Sequence, residues 1–244
     1  MCRHLAYLGP PTGLGALLVD APHGLVDQAR HPRFQTSGRS NPDGWGVAWY
    51  EPDDPSPQRY RSATAIWQDP EVGVLGAVRT PVALGAARLA SPGSPVEQSG
   101  NAPFVADRFA WSLNGIVEGW HDGVGAELAS LVSPGRAAGI EGVSDGETLF
   151  ALGLDRLDAG VSPSEALAEV VALVTARTGG RLNFLLTDGE SIAATAWGNS
   201  LFLRGHDGSI VVASEPTDDA EGWTRVPDRT LVTADAASSR CVPL

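Results

Sequence analysis

The sequence predicts an α+β protein made of two antiparallel sheets with helices on their outer faces. Three observations carry that prediction. Short apolar segments of period two occupy both ends of the chain, and two capped amphipathic helices lie together between them. Strand and helix never alternate as a parallel, doubly wound sheet requires. Two such sheets bury their inner faces only against each other, so residues 2–244 are expected to form one domain.

Taken in order, the elements are as follows. After the turn Asn41-Pro42-Asp43-Gly44, the stretch GWGVAWY (44–50) alternates and is aromatic, as a half-buried strand does. The proline-rich loop EPDDPSPQ (51–58) leads to a second strand, RYRSATAIW (59–67). VLGAVRT (74–80) and FAWSLNG (109–115) read as further short strands ending on polar residues. Ser144-Asp145-Gly146-Glu147 has the Ser-x-x-Glu spacing of a capping box, and TLFALGLDRL after it is apolar at helical period. Ser162-Pro163-Ser164-Glu165 repeats the device with proline at the first helical position, and its helix puts Leu167, Val170, Val171 and Val174 on one face. Beyond Gly179-Gly180 the period returns to two. RLNFLLT and ESIAATAW flank the hairpin signal Asp188-Gly189, and NSLFLR and SIVVAS are joined through His206 to Gly208.

Composition narrows the function. A formal charge of −12 over 244 residues argues against nucleic acid and anionic membranes as partners. No apolar run reaches the roughly 18 residues of a membrane-spanning helix. Arg3, His4, Pro10 and Pro11 interrupt the N-terminal apolar stretch, which is therefore no secretory signal; a cytoplasmic protein is expected. All seventeen basic residues are arginines, so lysine Schiff-base chemistry is excluded. The two cysteines, Cys2 and Cys241, have no partner at metal-ligand spacing and the five histidines are scattered, so no metal site is expected.

Cys2 directly follows the initiator methionine. With Met1 cut away it carries a thiol and a free α-amine on one carbon, a self-contained nucleophile and base. An α-amine has a pKa of roughly 7.7–8.0 against about 10.4 for lysine, so part of it is unprotonated near neutrality. Attack on an amide creates an oxyanion that needs oriented donors. Asn114-Gly115, at a strand end, can supply a side-chain amide and an unhindered backbone N–H, although Asn-Gly is equally a turn dipeptide. Arg79, at another strand end, has the planar fork that clamps a carboxylate, or is a plain surface arginine. Asp145 lies at a helix start, where the dipole favours its ionised form and a substrate ammonium would find an anion.

The order of these features matters more than any one of them. MCRHLAYLG, NPDGWGVAWY, AVRT, NAPF, LNG, SDGETLFAL and VVASEP follow one another as in the class II glutamine amidotransferases, a branch of the N-terminal-nucleophile hydrolases, which the sequence resembles. Within that family it is most similar to the stand-alone amidohydrolases of ergothioneine biosynthesis, through MCRHLAYLGPP, APHGLVDQA, LNFLLTDG, WGNSLF and VASEP. The resemblance implies a four-layer αββα sandwich, the Ntn-hydrolase fold. It implies Cys2 as nucleophile with its α-amine as base, Asn114 and Gly115 as the oxyanion hole, Arg79 holding a γ-glutamyl α-carboxylate, and Asp145 its α-ammonium. It implies hydrolysis of γ-glutamyl-hercynylcysteine sulfoxide to glutamate and hercynylcysteine sulfoxide, without cofactor. Relatives have His where this chain has Leu113, and a change of packing is expected there.

A trimethylammonium group in such a substrate suits an aromatic face, for which Trp45, Trp49, Trp111 and Trp120 are candidates. Three other readings stay open: a glutaminase subunit feeding a separate synthase, a hydrolase of other γ-glutamyl peptides, and a non-catalytic binding protein or Cys2 thiol sensor. Oligomeric state is not legible in the sequence.

Overall fold

Alternation along the first strand shows how the layers form. Leu5 and Tyr7 point to one side and Ala6 and Leu8 to the other, and all four are buried, so both faces of this strand are covered. The structure is a computed structural model that describes residues 2–244. Its elements in chain order are β1 (Arg3–Gly13), α1 (Leu25–Arg30), β2 (Trp45–Trp49), β3 (Gln58–Ser62), α2 (Glu71–Leu75), β4 (Arg79–Ala87), β5 (Phe104–Ala106), β6 (Phe109–Val117), α3 (Val124–Ala129), α4 (Pro134–Ala137), α5 (Asp145–Asp158), α6 (Pro163–Thr175), β7 (Gly180–Thr187), β8 (Ile192–Ala196), β9 (Phe202–His206), β10 (Ser209–Ala213), β11 (Thr224–Arg225), β12 (Thr230–Ala234) and β13 (Ser239–Pro243).

The strands form a seven-stranded sheet in the order β11-β9-β10-β1-β4-β2-β3 and a six-stranded sheet in the order β13-β12-β8-β7-β6-β5. Every strand pairing in both is antiparallel. Ala6, Leu84, Leu185, Ala194 and Val212 pack between the sheets. On the outer side of the six-stranded sheet, Trp111, Phe184 and Leu186 meet Leu149, Leu152, Leu167 and Val170 of α5 and α6. On the outer side of the other, Leu5 and Val47 meet Leu18, Leu25 and Ala29 from α1 and the turn before it. The expected αββα sandwich is the observed one.

Both predicted helices form. Ser162 makes a full capping box with Glu165, with Pro163 in the first turn. Ser144 Oγ accepts from Glu147 N at 3.3 Å, but Glu147 does not answer. Its carboxylate accepts from Glu141 N and Gly142 N at 2.8 and 2.7 Å instead, fastening the loop before the helix. At the β9–β10 hairpin, Asp207 and Gly208 take φ of 48° and 71°, the left-handed pair that a two-residue turn requires. The Asp188-Gly189 connection is a longer loop, since Thr187 pairs with Ile192.

The strand expected over 74–80 is displaced. Residues 71–75 form the short helix α2, and the strand runs from Arg79 through Ala87. Pro81, inside this strand, donates no hydrogen bond to a ladder. The β1–β4 register shifts between Leu8 and Thr12, opposite this proline, so the missing donor falls where pairing is already interrupted.

Candidate active site

The second residue of the chain is held at three points. Cys2 N donates to Asn114 Oδ1 at 3.1 Å, Cys2 Sγ lies 4.0 Å from Leu89 O, and Cys2 O accepts from Arg3 Nε at 2.7 Å. Asn114 comes from the middle of β6, on the face turned toward the other sheet. Its Nδ2 donates to Ser214 Oγ at 3.2 Å and its backbone carbonyl accepts from Asn199 Nδ2 at 2.8 Å. The amide carries a second hydrogen for another acceptor. Next to it, Gly115 packs so closely on β7 that a Cβ would overlap Arg181 O.

Cys2, Gly115 and Asp145 line one open cavity. Asp145 Oδ2 accepts from Val117 N at 3.1 Å and its Oδ1 from Gly146 N at 2.8 Å, so β6 and the start of α5 fix this carboxylate jointly. Burial raises the pKa of the carboxyl, opposed by those two amides and by the charge of Arg88.

Arg79 is not brought to this cavity. It stands exposed at the start of β4, paired across from Gly13, and its guanidinium donates to Pro11 O at 2.5 Å. The arginine that lines the cavity is Arg88, just past the other end of the same strand. Nine residues of extended chain separate the two by about 30 Å. Arg88 is buried and donates from Nη1 to Pro95 O at 3.0 Å. Its guanidinium packs over Gly100, where a Cβ would come within 2.9 Å of Nη1. The NPDGWG turn secures it: Asp43 N donates to Arg88 O at 3.0 Å, Arg88 N to Gly44 O at 2.8 Å, and Ala90 N to Asp43 Oδ2 at 2.8 Å. NPDGWG and the run RLASPGSPVEQSGNAPF after β4 were the available signals for Arg88.

Behind Cys2 lies a buried ion pair that sequence reasoning missed. Arg3 Nη1 is 2.6 Å from Glu215 Oε1, with both side chains fully buried. Glu215 also accepts from Phe34 N at 3.0 Å and Arg33 N at 2.8 Å, tying that loop to the chain start. The VVASEP motif thus supplies Ser214 for Asn114 and Glu215 for Arg3. His4, in β1 as expected, is buried with Nδ1 2.8 Å from Ser112 Oγ. Burial, helped by the nearby Arg3 charge, lowers its pKa to about 3, so it is neutral.

Leu113 is buried and lines the cavity, its Cβ 3.3 Å from where a Cβ on Gly146 would lie. Trp45 is buried and donates from Nε1 to Asp69 at 2.9 Å, Trp49 packs on the outer core of its sheet, and Trp111 is buried against Phe150 and Phe184. Only Trp120 of the four lines a cavity near the site. Cys2 and Cys241 are both free thiols, the latter exposed on β13. Among the described residues, no group of three or more His, Cys, Asp or Glu could hold a metal ion, and no helix is long and apolar enough to cross a membrane.

No family model matches the chain. It is 36% identical over 245 residues, covering all of both chains, to the γ-glutamyl-hercynylcysteine sulfoxide hydrolase of Mycolicibacterium smegmatis. It is 38% identical over 238 residues to the protein of that name in Mycobacterium tuberculosis, covering 95% of this chain and 92% of the other. Among solved structures, a class II glutamine aminotransferase domain protein from Silicibacter pomeroyi superposes with a TM-score of 0.72 at 23% identity, over 99% of both chains. A glutamine phosphoribosylpyrophosphate amidotransferase from B. subtilis gives 0.68 at 17% identity, over 99% of this chain and 49% of that one. These two likenesses concern the fold. Sequence identity at this level over essentially the whole length settles the family: the chain belongs to the γ-glutamyl-hercynylcysteine sulfoxide hydrolases, on the fold of the class II glutamine amidotransferases.

Proposed function

We propose that this chain hydrolyses the γ-glutamyl amide bond of γ-glutamyl-hercynylcysteine sulfoxide, releasing glutamate and hercynylcysteine sulfoxide. One observation carries the reading: a cavity that holds the Cys2 thiol also presents a buried guanidinium, Arg88, and a carboxylate, Asp145. A γ-glutamyl group ends in an α-carboxylate and an α-ammonium, and those two side chains match it charge for charge. In this reading Arg88 takes the role expected of Arg79.

Removal of Met1 makes the nitrogen now bonded to Asn114 Oδ1 an α-amine. That amine accepts the thiol proton, and Sγ attacks the γ-carbonyl carbon. The second N–H of Asn114 Nδ2 and the backbone N–H of Gly115 stabilise the oxyanion, each such donor being worth about 3 kcal/mol. Collapse breaks the C–N bond, and the ammonium returns its proton to the departing amine, leaving a γ-glutamyl thioester on Cys2. Water then attacks the thioester, giving its proton to the same amine, and glutamate leaves as the thiol re-forms.

Rapid quenching with intact-mass analysis tests this. Two findings are expected: a chain that starts at Cys2, and a transient γ-glutamyl adduct confined to that residue. Turnover without any adduct in a chain that keeps Met1 would contradict the mechanism.

A further inference from the structure

Two stretches of the sequence, LNFLLTDG (182–189) and WGNSLF (197–202), supply no residue to the reaction as proposed. The structure joins them through Asn183 of β7, which lies directly across from Asn114 of β6. Asn183 is fully buried, and its side chain grips the turn after β8 at four points. Its Oδ1 accepts from Trp197 N at 2.9 Å and Asn199 N at 3.1 Å, and its Nδ2 donates to Asn199 O at 3.1 Å and Ser200 O at 3.3 Å. Within that turn Gly198 takes φ of 84°, and a Cβ there would come within 2.9 Å of Arg181 Cγ, so the turn packs closely on β7. The Asn199 side chain reaches from this turn to β6, where its Nδ2 donates to the backbone carbonyl of Asn114 at 2.8 Å.

That carbonyl belongs to the same peptide unit as the Gly115 N–H. In a planar trans peptide the two bonds point opposite ways, so a group that fixes the Asn114 C=O also aims the Gly115 N–H. The carbonyl side faces β7. Leu182 N donates to Trp197 O at 2.8 Å and Phe184 N to Thr195 Oγ1 at 2.9 Å, which leaves the Asn183 amide between them facing Asn114. On the opposite edge of β6, β5 pairs with Phe109 to Trp111 and ends before Gly115 is reached. Two residues further along that edge, Val117 N donates to Asp145 Oδ2 at 3.1 Å. The Gly115 N–H therefore points to the side of the strand where Asp145 lines the cavity. A carbonyl that accepts a hydrogen bond polarises its peptide and strengthens the donor at the other end.

We infer that Asn199 is a positioning residue: its amide holds and polarises the Asn114–Gly115 peptide so that the Gly115 N–H meets the oxyanion formed when Cys2 attacks. It touches no reacting atom and acts through Gly115. The inference rests on the proposed reaction, in which both the attack of Sγ and the hydrolysis of the thioester pass through such an oxyanion.

The test compares wild type with Asn199→Ala in three readouts: glutamate release from γ-glutamyl-hercynylcysteine sulfoxide, glutamate binding by calorimetry, and alkylation of Cys2 by iodoacetamide followed by peptide mass. Alkylation displaces iodide from a methylene carbon and forms no oxyanion, so it reports on the thiol alone. Asn199→Ala is expected to lower kcat about tenfold with KM within about twofold, a part of the loss that follows removal of an oxyanion donor itself. Cys2 alkylation and glutamate affinity stay at wild-type values. Asn199→Asp has the same shape, but its ionised carboxylate has no hydrogen to donate. It lowers kcat at least as far, and it carries the test should Asn199→Ala not fold. Wild-type kcat in Asn199→Ala or, in that event, in Asn199→Asp would overturn the inference while leaving the reaction standing. So would a loss of kcat matched by equal losses in Cys2 alkylation and glutamate affinity, which marks a collapsed site. A wild type that releases no glutamate from the sulfoxide would overturn the reaction and the inference together.

Discussion

At the scale of single residues, Cys2 owes its position to partners on both sides of its own backbone. Asn114 holds its nitrogen and Arg3 its carbonyl, so the thiol projects from a fixed frame. Cys2→Ala is expected to abolish glutamate release while calorimetry still records substrate binding, because Arg88 and Asp145 are untouched. Arg88→Ala is expected to cost on the order of 3 kcal/mol, roughly a hundredfold in kcat/KM, since it leaves a substrate carboxylate without its partner. Arg79→Ala should stay within about twofold of wild type in the same assay, as a change on the surface does. A large effect at Arg79 with none at Arg88 would reverse our placing of the clamp. Cys2, Asn114-Gly115 and Asp145, which the structure brings together, could be picked out of the sequence because each sits next to a local mark: a chain start, a turn dipeptide, a capping serine. The arginine could not. Two arginines flank β4, and only the three-dimensional course of that strand says which end meets Cys2.

Elements explain the same division. Both long helices were readable because their first turns carry their own signals, and α6 shows the device in full, with Ser162, Pro163 and Glu165. Ser162→Ala should destabilise the protein by about 1 kcal/mol, seen as a melting point lower by roughly 2–4 °C and no change in turnover, since α6 lies outside the site. Strand β4 was misread because its proline is tolerated only opposite an irregularity in β1, a tertiary circumstance that no local pattern announces. Glu147 is a similar case. The Ser-x-x-Glu spacing announced a capping box, yet its carboxylate binds Glu141 N and Gly142 N, shaping the approach to Asp145 in preference to closing the helix.

At the scale of the molecule, the space between the sheets is apolar at one end and polar at the other. His4, Ser112, Asn114, Asn183 and Ser214 are buried at the polar end, near Cys2, while Arg3 and Glu215 pair on the outer side of the seven-stranded sheet. None of these polar burials could be read from period-two patterns, which report only that a face is covered. Glu215→Gln leaves the Arg3 charge buried without its counter-ion. It is expected to destabilise the fold by about 3 kcal/mol in denaturant titration and to lower kcat more than it changes KM. His4 adds a pH dependence of known sign. Its pKa is about 3 in the folded state against 6.5 for the free side chain, so the unfolded chain binds the extra proton. The stabilisation is complete above about pH 6.5 and declines as pH falls toward 3. Stability measured from about pH 6.5 down to 4.5, above most carboxylate titrations, should therefore drop in wild type and stay flatter in His4→Gln.

The most direct test of the account is glutamate release by the Met1-processed chain, with γ-glutamyl-hercynylcysteine sulfoxide and glutamine compared at equal concentration. We predict strong preference for the sulfoxide. Equal or greater release from glutamine would contradict that specificity and point to an ammonia-delivering subunit, and no glutamate from either would contradict the assignment of this site as a γ-glutamyl hydrolase.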